Sequence, residues 1–469
     1  MIQKPRFCKK YMKFMCLLSI MTLTLFNNAI LRVIKDTLLF SDNSSIEVVH
    51  FIKSFLVMPI SMIFVYFYTK ASASVKQSRI IYIIMAFFFI FFALYAVLHP
   101  IRSHMLPNPK SVNRLICEFQ RFKWIFVLYG SWFNALFYIV SELWSAVALN
   151  LIFWQFANSI NTIKDAKNYY VYFGIFGSIG MVSGGGIISY LFSSNINYKI
   201  SLMSGIISTS TICIIVLYKF VFNYVLQNSY DLQMEQKTKF KFSDILKMFF
   251  HSKYLRYMMM LVFCYHMTSN LVEITWKSIL KTSVGGADEY ASYMGVIYMI
   301  SGILSILLFY LPAQLMKRAS WMTIAISIPV SLSVLTTIFY TTLFKVFRDN
   351  MHSLTYVDLM PITIAGSAYY ICNRFLKYAL FDPVKEMAYI PLKRDEKLKG
   401  KAMIDVFGGK FSKALSGYIQ AILLTIIPNA NQISISYYTI YIVIACMILW
   451  IFSARNLSYE YEKISLSKQ

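Results

Sequence analysis

Across 469 residues the chain is 58% hydrophobic and only 14% charged, with a net charge of +24, where a soluble domain would carry about a quarter charged residues. That excludes an ordinary soluble enzyme. A spanning helix needs roughly 20 apolar residues, so the chain reads as an all-α polytopic membrane protein with about twelve transmembrane helices. The positive charge is spread over loops and helices with no basic tail, which argues against a nucleic-acid partner and for Lys and Arg as topology signals.

In chain order, KPRFCKKYMKF followed by apolar residues resembles the start of a signal peptide. It lacks a small-residue cleavage site and runs on into Arg32 and Lys35, so it reads as a retained first span. Six apolar stretches lie near residues 11–39, 47–69, 79–98, 122–158, 168–193 and 199–226. The fourth is long for one span, implying strong tilt or an extension beyond the bilayer. A polar stretch containing DLQMEQKTKFKFSD follows, and six more spans lie near 254–281, 290–316, 320–344, 356–381, 401–427 and 434–454.

The expected organisation is a six-helix bundle (1–226), a cytoplasmic linker (227–253), a second six-helix bundle (254–455) and a tail (456–469). With both termini inside, the inner connections hold about three times as many Lys and Arg as the outer ones, as the positive-inside rule expects of short loops. One outer loop, 99–123, breaks the pattern with Arg102, Lys110, Arg114, Arg121 and Lys123. Asn43-Ser44-Ser45 forms a glycosylation sequon on the outer side. Six plus six spans joined by a hydrophilic linker is the major-facilitator pattern, in which substrate sits near the midplane between halves. Fold alone does not fix the substrate.

Charges inside spans carry more information. One at mid-bilayer costs about 2.5–3.5 kcal/mol, so such residues face a cavity or a partner. Basic ones outnumber acidic ones here: Arg32, Lys35, Lys53, Lys219, Lys277, Arg374, Lys377, Lys410 and Lys413 against Glu142, Glu273, Asp382 and Asp405. That bias points to an anion pathway. In LRVIKDTLLF, Arg32, Lys35 and Asp36 share one helical face. They read either as an interface anchor with a snorkelling lysine or as a phosphate contact, with Asp36 keeping Arg32 in place. Glu142 interrupts FYIVSELWSAVALNLIFWQF, where it either pairs with a basic residue of another helix or carries a proton.

Glu273 is its counterpart in the second half, with Lys277 four residues on as a possible local partner. Lys410 and Lys413, in DVFGGKFSKALSGYIQ, lie three apart on one face, and Gly408, Gly409 and Gly417 permit close approach there. Gly184–Gly186 lack a following GxxxxGK[ST] and read as a helix crossing instead of a phosphate loop. Seven cysteines stand singly without a CxxC pair and the six histidines are unclustered. Neither zinc nor a disulfide framework is indicated, no cofactor is expected, and no nucleophile or acid–base cluster supports an enzyme.

LRVIKDTLLF, SELWSAVALNLIFWQFAN and above all KYALFDPVKEMAYIPLKRDEKLKGKAMIDV resemble the nucleotide transporter (ATP/ADP translocase) family of plastids and obligate intracellular parasites. The resemblance covers nearly the whole chain and is densest over residues 377–406. It implies exchange of ATP for ADP without hydrolysis, by alternating access, importing host ATP into a parasite. Two other readings stay open: a proton-coupled or broader purine nucleotide (GTP or NTP) importer of the same family, and a transporter of another organic anion. By motif, the residues that matter for transport fall on Lys35, Glu142, Glu273 and Lys413. The pattern near the last departs from the family's, which leaves Lys410 as its rival. Arg32, Asp36, Asn158 and Lys277 complete the candidate substrate set. The expected partners are ATP, ADP, other purine nucleotides and the bilayer. The expected state is a monomer in a parasite plasma membrane facing host cytosol.

Overall fold

The computed structural model describes all residues except 1–3, 42–46, 162, 226–250, 311–313, 316–317, 350–355, 390, 393–395, 397–399, 401–402, 405–407, 428–429 and 467–469, and, within helices, the side chains of 4–9, 41, 65, 69, 72–74, 121, 158–159, 163–171, 349, 356 and 465–466. The sequon at Asn43, most of the linker and the stretch from Lys393 to Asp405 fall largely outside the described residues.

Every regular element among the described residues is helical, as lipid demands of a chain that must satisfy its own backbone. Among those residues, nine helices are long and apolar enough to cross a membrane: Lys10–Phe40, Val48–Tyr68, Gln77–His104, Trp132–Ala157, Tyr172–Ser193, Lys199–Val225, Ala287–Leu307, Trp321–Arg348 and Gln432–Ile464. Three more, Lys253–Ser283, Tyr356–Leu376 and Gly409–Ile426, are less apolar because they carry Glu273 and Lys277, Arg374, and Lys410 and Lys413. Placed in chain order these helices match the twelve expected spans one for one. The protein is a multi-pass membrane protein. Its third span shows how lipid changes the usual pattern: Ile83, Ile90, Leu94 and Val97 are exposed on one face while Met85, Phe88 and Phe92 are buried on the other, so both faces are apolar.

The long fourth apolar stretch resolves into pieces. A short helix, Lys123–Gly130, ends where Ser131 leaves helical geometry. The span then runs through Trp132–Trp144 and a π-helical segment, Ser145–Phe153.

The helices gather into two compact units. The first comprises Met1–Ser45, Phe55–Lys237 and Gly286–Ile306, and the second Ile46–Ser54, Thr238–Gly285 and Leu307–Gln469. Thus the eighth span packs with the first unit, and the start of the second span with the second unit. Within the first unit, span one packs on spans four, five and six, and span three on span six. The second unit repeats that pattern: span seven packs on ten, eleven and twelve, and span nine on twelve.

The glycines of span five do mark helix crossings. A Cβ on Gly180 would run into the Thr22 carbonyl oxygen, and one on Gly184 would lie 3.0 Å from that of Phe26. On the neighbouring face, a Cβ on Gly185 would lie 2.5 Å from the Gly295 carbonyl oxygen of span eight. Backbones approach this closely only where side chains are absent.

Candidate functional site

In the first unit the site is built on Lys35, which is only 4% exposed. Its Nζ lies 2.9 Å from Glu142 Oε1 and 3.1 Å from Asp36 Oδ1, and 3.9 Å from the centre of the Tyr138 ring. Span four supplies both Glu142 and Tyr138, one helical turn apart, so a single helix face presents a carboxylate and an aromatic face to one ammonium. A buried cation is tolerable only with such partners, and the ring quadrupole adds to them. Hydrogen bonds between spans one and four hold the register. Asn134 Nδ2 donates to the Leu38 carbonyl at 3.2 Å and Trp144 Nε1 to that of Thr24 at 3.2 Å, while Ser145 donates to Asn28. Phe88 and Phe92 pack edge-on against Trp144. Arg32 lies one turn before Asp36 and is half-buried. The carboxylate oxygen of Asp36 faces Lys35, a partner that helical spacing alone did not suggest. Glu142 is the partly open member of the cluster, its side chain 29% exposed.

The second unit uses a different arrangement. Glu273 Oε1 and Lys277 Nζ are 2.7 Å apart along span seven, the local pair that their spacing allows. Lys277 also stands 6.0 Å from the Tyr370 ring, which stacks on Trp276 at 4.8 Å. Trp276 Nε1 donates to the Thr363 carbonyl at 3.2 Å. Span ten passes so close that a Cβ on Gly366 would overlap the indole. Arg374 donates to the Tyr370 hydroxyl at 2.9 Å, so one buried tyrosine lies beside two cations.

Span eleven sits against the same face of span seven. Asn270 donates to Ser416 at 2.5 Å and accepts from Lys53 Nζ at 3.4 Å. Gly409 abuts His266, whose ring a Cβ there would meet at 3.2 Å. His266 also lies within electrostatic reach of Lys413, Lys377 and Lys385. Lys413 is exposed and Lys410 half-buried. Asn158 is the one candidate whose side chain lies outside the described residues.

Sequence reasoning did not find Tyr138, Tyr370 or Asn270, nor the pairing of Arg374. The two tyrosines stand four residues before Glu142 and Arg374, and that spacing was the available signal. The π-helical segments near these residues were also missed. Lys53 lies within Ile52–Val57, Lys377 opens Lys377–Phe381, and Glu142 precedes Ser145–Phe153 by one turn. Wide turns of this kind recur at functional sites.

Comparison with known proteins agrees with this architecture. Residues 7–461 match the family described as TLC ATP/ADP transporter. "ADP,ATP carrier protein 3" of Rickettsia prowazekii (strain Madrid E) is 33% identical over 470 residues, covering 94% of this chain and 92% of the relative. "ADP,ATP carrier protein 1" of the same organism is 33% identical over 468 residues, covering 96% and 93%. Among solved structures, an inward-facing bacterial homologue of the iron transporter ferroportin aligns with a TM-score of 0.58 at 13% identity, over 95% of this chain and 98% of that one. A D-xylose–proton symporter aligns at 0.59 and 11%, over 95% and 97%. At such identities these two speak for fold alone, a major-facilitator-like bundle. With its family match spanning all twelve helices, the chain belongs to the TLC ATP/ADP transporter family.

Proposed function

We propose that this protein exchanges ATP for ADP by alternating access, taking ATP from host cytosol into a parasite across its plasma membrane. The reading is supported by family membership together with one observation: a lysine buried among apolar helices and held by two carboxylates at 2.9 and 3.1 Å. Nucleotide phosphates are the chemistry that such a group serves. Lys35 contacts the polyphosphate from the first half and Lys413 from the second, with Lys410 its neighbour on the same helix. Glu142 and Glu273 hold the cations while the site is empty. Arg32, Asp36, Asn158 and Lys277 complete the set.

A carboxylate standing in for phosphate explains exchange physically. An arriving phosphate takes over the ammonium from Glu142, and the carboxylate must return before the nucleotide leaves. Since an unpartnered buried charge is costly, the empty site stays latched, and reorientation is favoured with a nucleotide on board. The two six-helix halves, joined through 227–253, supply the moving bodies, with both termini cytoplasmic as the loop charges favour. The protein works as a monomer.

The test is uptake of labelled ATP, ADP and GTP into cells expressing the protein, with and without preloaded nucleotide. Uptake that depends on internal ADP and is lost in Lys35→Gln supports the reading. Full exchange by a normally expressed Lys35→Gln overturns the role of Lys35, and competition by another organic anion but not by ADP overturns the substrate. Uptake driven by a pH gradient without internal nucleotide makes Glu142 or Glu273 a proton carrier instead.

A further inference from the structure

The basic residues of loop 99–123 are the part of the charge pattern that topology leaves over. The loop is folded: a turn over His99–His104, a helix Pro109–Glu118, a turn Gln120–Phe122 and the helix Lys123–Gly130. It joins the third span, which ends at His104, to the fourth, which begins at Trp132, so it lies at a bilayer surface. In Pro109–Glu118 the apolar Val112, Leu115 and Ile116 share one face, while Lys110 and Arg114 lie a turn apart on the other and are exposed. Its apolar face packs on the following helix and leaves the two cations outward. Val112 fixes it in place, since a Cβ on Gly130 would meet Val112 at 3.1 Å. Lys123 opens the next helix with its ammonium 4.5 Å from the Trp124 ring centre.

Along that same helix runs an apolar groove of about 360 Å³, lined by Leu56, Ile125, Tyr129, Trp132, Leu136 and Ile139 among others. Its volume falls in the range of small-ligand sites, roughly 300–1,000 Å³. Trp132 ties the groove to the loop by donating from Nε1 to the Met105 carbonyl at 3.3 Å. Cations at headgroup level and an apolar slot on the membrane side of them fit an amphiphile with an anionic head.

We propose that this surface binds an anionic phospholipid, its phosphate on Lys110, Arg114 and Lys123 and one acyl chain in the groove. A soluble nucleotide would leave the slot empty, and a zwitterionic lipid would gain nothing from the three cations. At roughly fivefold per cation near a membrane surface, the preference for an anionic headgroup is on the order of a hundredfold.

The experiment uses the full chain in lipid nanodiscs and reads retained lipid by native mass spectrometry, with phosphatidylglycerol and phosphatidylcholine as probes. The wild type should retain phosphatidylglycerol preferentially. K110Q/R114Q/K123Q should lose that preference while keeping an unchanged helical circular dichroism spectrum. Leu136→Trp, which fills the groove without altering charge, should lower retention of both lipids. Equal retention of the two lipids by the wild type overturns the proposal, as does a triple variant that keeps the preference. Displacement of phosphatidylglycerol by ADP, with Leu136→Trp silent, overturns it in favour of a site for soluble phosphates.

Discussion

The two ion-pair sites solve one problem differently. In the first unit Lys35 is shared between its own helix, through Asp36, and span four, through Glu142. In the second unit Glu273 and Lys277 pair along one helix. A pair between helices exists only while the packing holds, so it reports on, and resists, relative movement of spans one and four. A pair within a helix survives any movement of that helix and acts as a pre-formed dipole. Removing a partner should therefore hurt far more in the first site than in the second.

The largest effect is expected for Lys35→Gln, which leaves the buried Asp36 and the partly open Glu142 without that cation at a cost of about 3–5 kcal/mol. Thermal denaturation of the purified protein should show a strongly lowered midpoint, and labelled-ADP exchange should vanish. Adding Asp36→Asn and Glu142→Gln together should restore much of the midpoint but none of the exchange. Recovery of exchange in the triple variant would show that the pairing is merely structural.

Next in size is Gly366→Ala, whose Cβ would overlap Trp276 and which should cost about 1–3 kcal/mol as overpacking, again read from the melt. Tyr138→Leu removes the ring beside Lys35 and should cost about 0.5–2 kcal/mol. Tyr138→Phe keeps the ring and should behave like the wild type, so equal losses in both would point to the hydroxyl instead. The smallest effect on stability is expected for Glu273→Gln, whose amide oxygen can still accept from the Lys277 ammonium that the carboxylate now holds at 2.7 Å. Its consequence should be read in transport, as weaker apparent affinity for nucleotide, and a melt as damaged as that of Lys35→Gln would erase the contrast between the sites.

Most of the fold could be read from hydropathy, because spans of roughly 20 apolar residues are a strong signal. The break at Ser131 could not, since the apolar run continues through it. For the site, the charged residues announced themselves by being out of place, and the Glu273–Lys277 pair followed from spacing. What the chain could not disclose was which groups meet across helices. Tyr138 is one aromatic among 34 tyrosines, and only the packing of span four on span one selects it for Lys35. Lys53 likewise became meaningful only through Asn270.

The glycine crossings of span five have a mechanical consequence. With Gly180 and Gly184 seated on the backbone of span one and Gly185 on that of span eight, the three helices are keyed together like notched timbers. None can slide lengthwise without bringing a side chain where only a glycine now fits against the facing backbone. Lys35 is therefore mounted on a stiff beam, and whatever displaces it must carry the whole beam along.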